Sequence, residues 1–339
     1  MKKFNYLDLS GYSFTGKSAY NNLIAEFEGF HTHAFDFEFD LLRTKDGIID
    51  LYIALIQNWS PIRSSEAIRN FKQIIIAYAG NKSFYDKLTK VGRHYDYSFP
   101  GFSQISQKYI DDLINATWKG QWPFAFERSS LFKILLCKIL QKVGFKRIFE
   151  EDVFLSSPSK EFFINRTKKY LKEILTSNIL ENTKFVVMNN VFEPFNPSLS
   201  MQFFDNVKAI VIDRDPRDIY LAALDYTNID GSKGWKATTG KNVDDFIQRF
   251  KAYRMHVIVN EDSNILRLTF EDLVLNYEET LLRLFNFLEE DKSIHKYPKR
   301  YFDPEISKKG IRMWKNVDGQ LKKDIEYIYQ NLKEYCLNV

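Results

Sequence analysis

The sequence predicts an α/β fold: a doubly wound parallel sheet of the P-loop nucleotide-binding type, with a large helical insertion. Three observations lead there. A glycine-containing loop, "GYSFTGKS" at 11–18, follows an apolar run and precedes a helical pattern. Continuous Val/Ile runs return at 184–190, 207–215 and 263–272, flanked by polar turns, as expected of parallel strands covered on both faces. Between them, from Asp46 to about Thr176, apolar positions recur at the three-to-four spacing of helices.

The elements follow in order. The first strand covers about 4–10, and "KSAYNNLIAEFEGF" continues the loop as a helix. In "HTHAFDFEFDLLR", Phe35, Phe37 and Phe39 alternate with Asp36, Glu38 and Asp40. A period of two predicts a strand with one polar face. The helical block contains "DGIIDLYIALIQNW", "SSEAIRNFKQIIIAYAG", "SQKYIDDLINATWKG", "SSLFKILLCKILQKVG" and "SKEFFINRTKKYLKEIL", several opening on Ser or Asp caps. After the three later strands come "PRDIYLAALDY", "VDDFIQRFKAYRMHVIV" and "NYEETLLRLFNFLEE", then "QLKKDIEYIYQNLKEY" as a closing helix. This order describes a doubly wound sheet. No Pro/Gly/Ser-rich linker interrupts it, so the expectation is one domain over 1–339, with 46–180 inserted as a helical cap.

Composition narrows the class. With 339 residues, 45% hydrophobic and 27% charged, the chain can build a large core. Its net charge of +4 suits an anionic ligand and is too mild for a nucleic-acid partner. Cys137 and Cys336 are too few for a disulfide framework and fit a reducing compartment. Cys137 reads as a small buried hydrophobe. The start "MKKFNYLDLSGY" has no apolar stretch of signal-peptide length, and "DLYIALIQ" and "FKQIIIAYAGN" are too short to span a bilayer. A cytoplasmic protein without a transmembrane segment is expected.

The glycine loop carries the first chemistry. Gly11 and Gly16 let the backbone turn so that the N–H groups of Ser13, Phe14, Thr15, Ser18 and Ala19 converge on an anion, helped by the positive end of the helix. Lys17 adds a point charge and Ser18 a hydroxyl. The motif alone admits both a Mg-ATP kinase and a sulfate-transferring enzyme. A kinase would also place an acid at a strand end to hold the metal, and Asp213 is available for that. The neighbouring residues point elsewhere. In "VIDRDPRDIYLA" a strand ends at Arg214, and Pro216 suits the first helical turn. A guanidinium fork there suits a second phosphate.

At this point the chain resembles the sulfotransferases that use 3′-phosphoadenosine-5′-phosphosulfate (PAPS). In that family a glycine loop holds the 5′-phosphosulfate and an Arg-x-Pro-x-Asp turn holds the 3′-phosphate. "LRLTFEDLVLNYEETLLRLFNFL" is similar to the family's Tyr/Phe-Glu-Asp-Leu strand end and helix. "ISKKGIRMWKN" resembles its C-terminal Lys-Gly…Trp-Lys segment, which folds over the nucleotide. The resemblance covers the loop and most of 184–316, and leaves out the helical block. There are departures. Phe14 stands where the family's loop lysine usually sits, so Lys17 takes that work. Ala222 replaces the serine that partners the 3′-phosphate Arg, so Lys308, Lys309 or Arg312 must supply a contact beside Gly310. The Gly310-to-Trp314 spacing is one residue short of the cytosolic small-molecule branch. These features point to a divergent bacterial or glycan-acting branch.

The resemblance implies transfer of a sulfuryl group from PAPS to an acceptor hydroxyl of a small molecule or saccharide, leaving the product PAP, with no metal and with 46–180 on the acceptor side. In-line transfer needs positioning, stabilisation of charge on the departing phosphate oxygen, and a base. Lys17 would stabilise the bridging oxygen. Glu38 is the first choice of base, because glycan-type members carry a glutamate in this region. His33 is second, with Asp36 as an orienting group on the same face. Arg43 would pair with Asp40 or clamp an anionic acceptor. Asn189, Asn190 and Glu193 follow a strand end, where such folds place acceptor contacts. Trp59, Trp118 and Trp122 read as core by default. No His/Cys spacing suggests a metal site. The alternatives are a Mg-ATP kinase and a non-catalytic nucleotide-binding protein.

Overall fold

The computed structural model describes residues 3–33, 38–80, 93–125, 127–144, 150–230, 236–258 and 262–337. The chain divides into two compact units, 1–43 with 179–339, and 44–178. Among the described residues the strands are β1 (Asn5–Gly11), β2 (Phe30–Thr32), β3 (Ala116–Gln121), β4 (Glu150–Leu155), β5 (Phe185–Asn189), β6 (Val207–Asp213) and β7 (Ile265–Thr269).

In the first unit five strands form a parallel sheet in the order β2-β5-β1-β6-β7. The chain order reverses at β1, which lies between β5 and β6. Ligands of such sheets bind outside the carboxyl ends of the strands at this switch point. The register brings three strand ends together there: Leu9 faces Asn189, and Gly11 faces Ile212.

Burial explains why these strands were readable. Tyr6 to Ser10, Phe185 to Met188 and Ala209 to Ile212 are buried at every position, as central strands covered on both faces must be. The edge strands β2 and β7 are mostly half-buried. The Lys17–Ile24 helix buries Tyr20, Leu23 and Ile24 in a core with Phe27, Phe270, Leu284 and Phe285. The Tyr20 hydroxyl donates to the carbonyl of Thr269 at 2.7 Å, tying this helix to the end of β7. A second core joins Ile219 and Tyr220 of the Pro216–Asp230 helix to Phe246, Phe250, Ile325 and Ile328.

The second unit packs the helices Pro61–Ala79, Phe102–Leu113 and Lys160–Leu175 around Phe71, Tyr109, Phe163 and Tyr170. Tyr109 and Tyr170 stack at 4.2 Å, and their hydroxyls meet Thr167 and Ser106. Cys137 is buried, as its helical pattern suggested. No described helix is long and apolar enough to cross a membrane.

Three expectations need correction. "SQKYIDDLINATWKG" is not one helix. The helix stops at Leu113, whose carbonyl accepts from the Ser156 hydroxyl, and β3 pairs antiparallel with β4. Thr117 opposite Phe154 and Trp118 opposite Val153 favour the pleated arrangement, and a short apolar run cannot decide between the two periods. The strand expected in "HTHAFDFEFDLLR" lies earlier, at Phe30–Thr32, where β5 offers a partner. Phe35, Asp36 and Phe37 fall outside the described residues, and Asp40 to Arg43 form a turn. Trp59 and Trp118 are also not core residues: they are 42% and 50% exposed.

Candidate active site

The loop between β1 and the Lys17–Ile24 helix has a shape that only its glycines allow. A Cβ on Gly11 would stand 2.5 Å from Thr15 Oγ1 and 3.2 Å from the carbonyl of Ile212. Gly16 caps the helix at φ +80°, and a Cβ there would stand 2.4 Å from the Phe270 ring. Phe14 also adopts a positive φ, +62°, an uncommon conformation for a residue with a side chain. Ser13 is exposed, Thr15 is buried, and Ser18 and Ala19 are half-buried behind Lys17.

Lys17 opens the helix and meets Glu38. Its Nζ lies 2.6 Å from Glu38 Oε1, which also accepts from Asn190 Nδ2 at 2.7 Å. Arg43 Nη2 holds Glu38 Oε2 at 2.6 Å and reaches Asp40 as well. Asn190, just beyond β5 with φ +54°, accepts from the Gly11 N–H at 3.2 Å. The ends of β1 and β5 are thereby joined to the carboxylate. Beneath them Asp8 is fully buried and accepts from Val191 N, Phe192 N and the Ser10 hydroxyl.

The electrostatics follow from this packing. Burial opposes the charge on Glu38, but the Lys17 ammonium, Arg43 and Asn190 outweigh it and hold its carboxyl below the usual range. For Lys17 burial wins over the attraction of Glu38 and Asp8, and its ammonium is held below the usual value. Glu193 is pushed up by burial, countered by Arg43 and reinforced by Asp40 and Glu38. Asp8 is pushed up to about 6 by burial. His33 follows β2 and packs edge-on against His31 at 5.1 Å, and burial lowers it to about 4.

A second constellation lies at the end of β6. Arg214 Nη1 donates to the Phe14 carbonyl at 3.1 Å, and Nη2 donates to the Gly310 carbonyl at 2.5 Å. Its guanidinium sits 4.9 Å over the Phe270 ring. A Cβ on Gly310 would come within 3.2 Å of that same ring. Gly16, Arg214 and Gly310 thus surround one aromatic side chain on one side of the sheet edge. Asp218 accepts from Arg312 N at 2.8 Å and anchors the 308–316 segment to the Pro216–Asp230 helix. The Nε atoms of Arg214 and Arg312 are buried without a partner among the described residues. Lys308 pairs with Glu305, while Lys309 is exposed. Asp213 is bound to Arg254 Nη2 at 2.5 Å, and that guanidinium stacks on Tyr12.

No family model matches the chain, and no curated protein matches it significantly. Among solved structures it is similar to the sulfotransferase domain of the Synechococcus PCC 7002 olefin synthase, at 12% identity and a TM-score of 0.41, over 99% of this chain and 96% of that one. The sulfotransferase domain from the curacin biosynthetic pathway is another, at 13% identity and 0.38, over 98% of each chain. Retinol dehydratase, solved with androsterone and the inactive cofactor PAP, is a third, at 13% identity and 0.37, over 98% of this chain and 82% of that one. All three TM-scores lie below one half, and the functional weight falls on the residues of the site.

The structure brings Gly11, Gly16, Lys17, Glu38, Arg43 and Asn190 into one cluster, with Glu193 electrostatically coupled to it. Arg43 pairs with Asp40 and also bridges to Glu38. Asp36 lies outside the described residues. Sequence reasoning missed Phe270, Asp218 and Asp8. The first two stand inside the stretches "TFED" and "DPRD". A lone Asp within the apolar strand "NYLDLSG" was the available signal for Asp8. Among the described residues no three His, Cys, Asp or Glu side chains gather as metal ligands.

Proposed function

We propose that the protein is a PAPS-dependent sulfotransferase acting on an acceptor hydroxyl. The observation that carries this reading is the convergence of Gly16, Arg214 and Gly310 on the Phe270 ring, which sets two anion-binding elements beside one aromatic surface. The residues fit a doubly phosphorylated nucleoside. A loop too tightly packed for a Cβ at Gly11 or Gly16 lies at one end, and the buried Nε donors of Arg214 and Arg312 lie at the other. The bound donor supplies the sulfuryl group and the leaving phosphate. Lys17 and the loop N–H groups hold the 5′ side. Arg214 holds the 3′ side, with Arg312, Lys308 or Lys309 in place of the hydroxyl that Ala222 lacks.

Glu38 takes the proton from the acceptor hydroxyl, whose oxygen forms the new bond to sulfur. Lys17 stabilises the charge gathering on the phosphate oxygen as its bond to sulfur breaks. For both to act, Lys17 leaves Glu38 for the donor. A saccharide is the acceptor we favour, because the base is a glutamate, as in the glycan-acting members that the sequence resembles. Asn189, Asn190 and Glu193 face it in this reading.

The kinase reading is weaker for a specific reason. A metal would be held by an acid at a strand end flanking β1. β5 ends in the amide Asn189, with Asn190 just beyond it, and Asp213 at the end of β6 is paired with Arg254. Calorimetry separates the two. PAP is expected to bind without magnesium, and Lys17→Ala and Arg214→Ala are each expected to weaken it by roughly 1.5–3 kcal/mol, the scale of a charge-assisted hydrogen bond. Binding of Mg-ATP with indifference to the 3′-phosphate would restore the kinase. PAP binding with no transfer to any acceptor in a hydroxyl library would leave a nucleotide-binding protein.

A further inference from the structure

A cavity of about 820 Å³ opens beside the C-terminal Gly319–Asn331 helix, in the unit formed by 1–43 and 179–339. We propose that it is a second ligand site, for a planar ring carrying an anionic substituent.

Arg217 is the anchor. It stands three residues after Arg214, and its hydrogen-bond partners are different ones. Its side chain is 7% exposed, and Nε and Nη2 are held by Asp215 at 2.9 and 2.7 Å. Nη2 also donates to the Leu337 carbonyl. Nη1 makes no hydrogen bond among the described residues, so donors remain on a guanidinium that lines the cavity. The guanidinium carbon lies 3.9 Å over the Trp314 ring and 5.3 Å over the Tyr329 ring. A fixed fork of this kind recognises a carboxylate, sulfate or phosphate with little further ordering.

The rest of the wall completes the recognition. Lys315 and Lys322 line the cavity without an ion-pair partner among the described residues, against one carboxylate, Glu326. The Asp215 charge is already spent on Arg217, so the wall stays electropositive. Trp314, Tyr329, Ile325 and Leu337 supply apolar surface beside the charge. The volume is far more than an inorganic anion needs and falls within the range of small organic ligands, about 300–1,000 Å³. An aromatic ring against Tyr329, with its anionic group at Arg217 and Lys322, satisfies both halves of the wall.

Two sources share this chemistry, a nucleoside monophosphate and an aryl sulfate, and the test uses one of each. Adenosine 5′-monophosphate and 4-nitrophenyl sulfate are titrated calorimetrically into the full chain and into Lys322→Glu, Tyr329→Ala and Arg214→Ala. Saturable binding of at least one probe is expected. Lys322→Glu and Tyr329→Ala should each weaken it about tenfold or more, with melting temperatures unchanged. Arg214→Ala should leave it intact, which separates this cavity from the proposed donor site whether or not PAP binds there. The stronger probe names the source. No saturable binding, binding lost in Arg214→Ala, or binding equal in the cavity variants and the original chain would overturn the proposal. Inorganic phosphate binding as tightly as either probe would overturn the requirement for a ring.

Discussion

Glu38 is shared between Lys17 and Arg43, and its basicity depends on which of them it holds. In the proposed reaction, drawing Lys17 onto a donor removes a cation 2.6 Å from the carboxylate, so Glu38 would become a stronger base only with the donor in place. Glu38→Gln is therefore expected to lower turnover by about 10²–10⁴, the usual contribution of a general base. PAP affinity should stay level or rise in that variant, since Lys17 loses its internal competitor. His33→Asn should stay within a few-fold of the original chain in initial rate, and a collapse there would transfer the base to His33. The pH profile gives a second check. The lowered Glu38 carboxyl places the acid limb of kcat/KM below the ordinary glutamate range. Arg43→Ala should move that limb upward, because one of the cations favouring the ionised form is gone.

The loop and its helix are constrained by a ring from a distant strand end. Gly16→Ala meets two obstacles, a left-handed backbone and the Phe270 ring, and should cost about 1–3 kcal/mol in urea denaturation. In a Phe270→Ala background the steric part disappears and only the backbone part remains. The double-mutant cycle should thus show coupling between the two positions. Additive effects would mean that the ring does not press on the loop. At this scale β1, β5 and β6 were legible because burial on both faces writes an unbroken apolar run. β2 was not, because three half-buried residues carry no run. The β3–β4 hairpin was hidden for a related reason: its pairing spans a long separation that no local window contains.

Across the molecule, buried acids make stability depend on pH. Burial raises Glu271 to about 7 and Asp8 to about 6. The folded chain then binds more protons than the unfolded one between the ordinary carboxylate range and these values. Their stabilising contribution is present at low pH and is lost as pH rises through 6 to 7. Glu271 Oε1 accepts from Asp215 N, whereas Oε2 has no partner among the described residues. Glu271→Gln can keep the first contact while removing the charge. Its melting temperature relative to the original chain should rise between pH 5 and pH 8, by the equivalent of up to about 3 kcal/mol. A difference that does not change with pH would show that Glu271 titrates normally.

Local residue pattern sufficed for the sheet's central strands, the phosphate-type loop and the Arg214 turn, because glycine spacing, apolar runs and capping residues act over a few positions. It also sufficed to nominate Lys17 and Arg214, whereas Glu38 was nominated through the resemblance to glycan-acting sulfotransferases. Folding was needed to join them. The Glu38 contact to Lys17, the clasp of Arg214 on Phe14 and Gly310, and the ring of Phe270 against both glycines link residues up to about 250 positions apart. Such contacts depend on strand order and on which side of β1 each crossover returns, and no local periodicity records that.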